Sequence, residues 1–109
     1  MLVNLDQIVA GLIKYIDTEL IPNAAGMMKF TLYFITPSIP KKVTQMLNTY
    51  RTDALFSDLF DEAGNVKLDD VKVRAKEALS KVGRLYIDRL NLFVDESDLE
   101  KLYNLIKNS

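Results

Sequence analysis

DEAGNVKLDDVKVRAKEALSKVGRLYIDRLNLFVDESDLEKLYNLIK, the run from Asp61 to Lys107, sets out a turn, a helix, a short β-hairpin and a closing helix. In its last part Leu99, Leu102, Tyr103 and Ile106 recur at i, i+3, i+4 and i+7, one face of a helix with 3.6 residues per turn. Asp95 is the expected N-cap, because its carboxylate can accept the free backbone N–H groups of the first turn. Glu96 and Asp98 stand where the helix dipole favours negative charge, and Lys101 and Lys107 lie toward the opposite end. Val94 with Leu99 makes a hydrophobic staple.

Working back, the segment from about Asp70 to Val82 puts Val71, Ala75, Ala78, Leu79 and Val82 on one helical face, and Gly83 suits the left-handed residue that ends a helix. Between the two helices, Leu85 and Ile87 alternate with Tyr86, and Leu92 and Val94 with Phe93, which is the period of two paired strands. Asp88-Arg89-Leu90-Asn91 is then the turn, without the Asn-Gly or Asp-Gly pair of the commonest tight hairpins. The pattern predicts a mainly α fold of α+β character: a single-domain helical bundle over residues 1–109, with a short C-terminal β-hairpin between its last two helices.

The run from Gly64-Asn65-Val66 through the Leu85–Val94 hairpin to Asp98-Leu99-Glu100-Lys101-Leu102-Tyr103 resembles small prophage-encoded proteins of unknown function from Gram-positive bacteria. Tyr15-Ile16-Asp17 and Pro22 extend the resemblance over most of the chain. The pattern usually carries Pro or Gly in the hairpin turn, where this chain has Asp88–Asn91. The resemblance implies a phage setting, in the cytoplasm of a bacterial host or in a virion, and brings no catalytic residues with it.

A chain of 109 residues suits one domain. Its 49% hydrophobic and 27% charged residues are the balance of a globular protein and not of a disordered one. A net charge of −1 gives no global field toward nucleic acid or an anionic membrane. The absence of cysteine excludes disulfides and thiolate metal sites, and the absence of histidine removes the commonest general base and metal ligand.

The segment from Leu5 to Leu20 reads as an amphipathic helix with a stripe of Leu5, Ile8, Val9, Leu12, Ile13, Ile16 and Leu20. Asn4 and Gln7 form a capping box, Val3 and Ile8 a staple, and Pro22 a stop. Asp6, Lys14, Asp17 and Glu19 interrupt it too often for a signal peptide, and the mixed charge of its polar face favours a core-facing stripe over a membrane-surface one. Met27–Ile35, MMKFTLYFI, is apolar nearly throughout, yet far shorter than the ~20 residues of a membrane span. Periodicity does not separate a buried strand from a helix over so short a run. Taken as a helix it sets Met28, Leu32 and Ile35 on one face, with Phe30, Tyr33 and Phe34 around the side as the candidate interface. Pro40 is expected in the first turn of a helix to about Tyr50, with Val43, Met46, Leu47 and Tyr50 inward, followed over Ala54–Phe60 by a short apolar turn or helix on Leu55, Phe56, Leu59 and Phe60.

Three clusters bear weighing as chemistry. Setting Gly64 at the sixth position of a calcium loop leaves Leu59 and Ala63 where oxygen ligands are required, so a tight turn with Gly64 or Asn65 at positive φ is the better reading. Lys72, Arg74, Lys76, Lys81, Arg84 and Arg89 offer a basic face, of which Lys72, Lys76 and Arg84 are the candidate contacts. Glu77 and Asp88 break it, Asp69 and Asp70 precede it, and no aromatic residue interleaves at stacking spacing, so a solvated helix face is favoured. Asp95 with Asp98, or Glu96 with Glu100, is a carboxylate pair that capping and the helix dipole already explain. The expectation is therefore a non-enzymatic interaction or assembly module without cofactor, metal or small-molecule substrate, associating with itself or another phage protein. The alternative is a small nucleic-acid-associated regulator using the basic 72–89 face.

Overall fold

A computed structural model describes residues 1–88 and 91–109. Strand β1 (Leu2–Val3) leads into helix α1 (Leu5–Tyr15). Helix α2 (Met27–Ile35) passes through a 3₁₀ turn (Thr36–Ser38) into α3 (Ile39–Arg51). A second 3₁₀ turn (Ser57–Leu59) precedes β2 (Val66–Lys67) and α4 (Leu68–Val82). Strands β3 (Leu85–Ile87) and β4 (Leu92–Val94) then lead to α5 (Glu96–Lys107). The fold is mainly α with two small antiparallel sheets, and the β3–β4 hairpin lies between the last two helices as the pattern predicts.

Both expected helix starts are present. Asn4 Oδ1 accepts from Gln7 N at 2.9 Å, and Gln7 Oε1 accepts from Asn4 N at 3.1 Å, which closes the capping box of α1. Asp95 caps α5 in the same way: its Oδ1 accepts from Asp98 N at 2.8 Å and Asp98 Oδ2 accepts from Asp95 N at 3.1 Å. The helix expected to Leu20 is α-helical only to Tyr15 and continues as a π turn over Ile16–Leu20, with Ile21 N donating to Ile16 O at 2.8 Å. Residues five apart on an α-helix point about 140° apart, whereas i→i+5 bonding brings Ile16 and Ile21 onto one side. Both are buried. The Thr18 hydroxyl, donating to Lys14 O at 2.7 Å, occupies a carbonyl that an α-helical N–H would use.

The most extensive helix pair is α1 against α5. It is made close by Gly11: a Cβ built there stands 2.7 Å from Ile106 Cα and 2.8 Å from Ile106 N. Around this crossing most of the buried side chains form one cluster, including Leu12 and Ile16 from the first helical segment, Ile39 and Val43 from α3, Leu92 and Val94 from the hairpin, and Leu102 and Ile106 from α5. The β1–β2 pair, with Leu2 opposite Lys67 and Val3 opposite Val66, ties the first residues to the start of α4. Leu68 N donates to Met1 O at 3.0 Å, and the Met1 amine reaches Asp69 at 3.0 Å.

Several expectations need correction. Helix α4 starts at Leu68, two residues before Asp70, and Leu68 is buried. Val82, expected inward, is exposed at the last position of that helix, where Gly83 at φ +79 turns the chain away. Tyr50 also stands outside the core, in edge-to-face contact with Phe56 at 5.0 Å between ring centroids. Leu55 is exposed, while Leu59 and Phe60 turn inward and Phe60 bridges to Val66. In the hairpin, Leu85 pairs with Val94, Tyr86 with Phe93 and Ile87 with Leu92. Arg89 and Leu90 of the expected turn lie outside the described residues; Asn91, at φ +52, accepts the Tyr86 hydroxyl on Oδ1 at 2.7 Å.

Candidate interaction surface

Helix α2 begins after Gly26, which has φ +59, and has no side-chain cap. Within and beyond it, hydroxyls return to the backbone: Thr31 Oγ1 donates to Met27 O at 3.0 Å, Thr36 Oγ1 to Leu32 O at 2.8 Å and Ser38 Oγ to Ile35 O at 2.7 Å. These contacts engage the three hydroxyls locally. Leu32 is buried and Ile35 half-buried against the core, and they are the inward contacts of this helix. Met28, expected beside them, is instead 58% exposed. The three candidate interface residues stand outward: Phe30 is 68%, Tyr33 58% and Phe34 82% exposed, and Met27 at 85% joins them. A helix apolar on nearly all sides thus rests on the body by one narrow edge. Its remaining surface is an apolar patch of the kind that monomeric proteins seldom leave in water.

The basic candidates sit differently. Lys72 Nζ lies 3.1 Å and Lys76 Nζ 2.9 Å from the two oxygens of Glu100, so two of the three converge on one carboxylate of α5. Those bonds, Lys76 first, hold the Glu100 carboxyl below its ordinary value, and Glu100 in turn raises Lys76. Lys72 also stands 4.1 Å above the Tyr103 ring. Arg84 lies over Phe93 of the hairpin at 4.7 Å. Arg74 is bonded to Asp58 and to Leu55 O. Arg89 lies outside the described residues. The basic run is therefore spread over a helix–helix seam and the outer hairpin face, not gathered into one patch.

The acidic clusters are likewise engaged. Asp61 accepts Asn65 N at 2.8 Å and Asn65 Nδ2 at 3.2 Å around Gly64 at φ +86, the tight turn that the sequence suggests. The Asn65 backbone N–H holds Asp61 below the usual carboxylate range. No group of three or more metal-ligating side chains occurs among the described residues. Asp98, besides its part in the cap, accepts the hydroxyl of buried Tyr15 at 2.7 Å. Burial pushes the Tyr15 hydroxyl well above its ordinary value, and Asp98 adds to this. Burial also acts to raise Asp98, but the bonds from Tyr15 and Asp95 outweigh it and leave the carboxyl lowered. Tyr15 continues the stripe Leu5–Ile8–Leu12 at i+10, the signal in the sequence for its burial.

No helix among the described residues is long and apolar enough to cross a membrane. No family model matches the chain, and neither curated proteins nor solved structures contain a match to it.

Proposed function

We propose that the chain is a non-enzymatic interaction or assembly module that binds protein through the outer face of α2. One observation carries this reading: Met27, Phe30, Tyr33 and Phe34 lie together in water on a helix anchored by Leu32 and Ile35. Aromatic and methionine side chains are the residue types enriched at the cores of protein interfaces, and Lys29 is the one charged residue of the segment. A phage setting rests on the resemblance alone, carried by Gly64–Tyr103 with Tyr15-Ile16-Asp17 and Pro22. The nucleic-acid reading draws less support, because Lys72 and Lys76 share Glu100.

The test is capture from lysate of phage-producing cells with the tagged parent and with Phe34→Lys. The proposal expects proteins held by the parent, also in high salt, and lost with Phe34→Lys at unchanged circular dichroism. Apolar association survives salt that strips phosphate contacts. An identical set of captured proteins from both would refute it.

A further inference from the structure

Resting on that reading, we infer that the occupant of the α2 face is a second copy of this chain, packed antiparallel about a twofold axis near Phe30. The first ground is arrangement. At about 100° per residue, Met27, Phe30, Tyr33 and Phe34 fall within roughly 120° of the helix circumference. Phe30 is at the centre of this stripe, Met27 toward one end and Tyr33 and Phe34 toward the other. A twofold interface requires a patch complementary to itself, in which residue i meets j and j meets i. Antiparallel pairing about Phe30 meets that requirement. It sets Phe30 against its own symmetry mate and Met27 against the partner's Tyr33 and Phe34, which is a favourable sulfur–aromatic contact. Lys29 lies about 100° around the helix from Phe30, clear of the axis, so the pairing brings no like charges together.

The second ground is area. Taking about 200 Å² for a fully exposed large side chain, the exposures of the four stripe residues amount to roughly 590 Å² per copy. Two copies would then bury roughly 1,200 Å², at the lower edge of the ~1,200–2,000 Å² of stable specific interfaces. The patch on α2 is thus of the size that one further copy fills.

The chain contains no cysteine, which makes the register testable by single replacements. The parent should show a molar mass near twice its 12.4 kDa in light scattering at tens of micromolar. Phe30→Lys should return it to the monomer mass with unchanged circular dichroism. Under mild oxidation Phe30→Cys should cross-link to itself. Met27→Cys should not, but should cross-link when mixed with Tyr33→Cys. A parent dimer that gives the Met27→Cys homodimer in place of the mixed product would overturn the antiparallel register. A monomeric parent overturns the second copy as occupant. Capture by the parent that is lost in Phe34→Lys would in that case leave the association reading standing, and capture unchanged by Phe34→Lys would remove both.

Discussion

Gly11→Ala sets two effects of opposite sign against each other, and the packing of α1 on α5 decides which wins. In the interior of an exposed helix, Ala is favoured over Gly by about 0.8–1.0 kcal/mol, so propensity alone predicts a more stable protein. At Gly11 the added Cβ would stand 2.5 Å from Ile106 Cγ1, 2.7 Å from Ile106 Cα and 2.8 Å from Ile106 N. The Cγ1 contact could be relieved by a rotamer change, but the other two are backbone atoms inside α5. Restoring ordinary contact at about 3.5–4.0 Å requires the two helices to separate by roughly 1 Å. That shift would loosen Leu102 and Ile106 in the core and stretch the bond from Tyr15 to Asp98. Overpacking of this kind costs about 1–3 kcal/mol, and a backbone clash belongs at the upper end, so the net expected change is destabilisation by about 2 kcal/mol. Urea denaturation followed by circular dichroism at one fixed protein concentration measures it, with Ala10→Gly on the exposed side of the same helix as the control. The control should lose about 1 kcal/mol through propensity alone. A Gly11→Ala protein as stable as the parent, or more so, would show that α1 and α5 do not cross where described.

Leu102→Ala should cost about 2–5 kcal/mol because the side chain is buried in the main core, and Asp95→Ala about 0.5–2 kcal/mol through loss of the cap; unfolding curves that reverse this order would remove α5 from the core. Asp61, Asp69, Asp98 and Glu100 are all held below their ordinary values of 3.8 and 4.5, so the folded state binds their protons less readily than the unfolded chain. Their contribution is complete above those values and is lost as pH falls through the folded ones; a melting temperature unchanged between about pH 7 and pH 3 would contradict it. Tyr15 and Tyr103 are raised above 10.0, so stability should also fall as pH rises past that value, and Tyr15→Phe should flatten part of the alkaline limb. Millimolar calcium should leave the melting temperature where it is, since Leu59 and Ala63 offer no oxygen side chains; a rise with calcium and not with magnesium would mean that the 58–66 turn binds it.

What was legible in the sequence is what short-range chemistry specifies. The Asn4–Gln7 box, the Asp95 cap, the Gly83 stop and the alternation of Leu85–Ile87 and Leu92–Val94 each announce an element within a few residues, and each is present. What was not legible depends on partners far along the chain. Gly11 reads as a weak helix residue until Ile106 lies across it, and Tyr15 as a bystander until Asp98 receives its hydroxyl. The β1–β2 pair is two residues long on each side, too short to leave a period. For the candidate surface, the apolar count of Met27–Ile35 pointed to Phe30, Tyr33 and Phe34, which do stand outward, but did not show that Met28, one turn before Leu32 on the same face, is exposed. A helix apolar all round carries no moment sharp enough to say which edge meets the core. On the basic face, spacing along α4 places Lys72 and Lys76 together but is silent about Glu100 on α5.

The central claim is that the outer face of α2 is where two copies of this chain associate. Sedimentation equilibrium of the parent and of Phe34→Lys, side by side in high salt, tests it most directly. The account predicts a parent mass that climbs with concentration from 12.4 kDa toward twice that value, and a Phe34→Lys protein, equally folded, that stays at 12.4 kDa. Two curves that superimpose, at either mass, would contradict it.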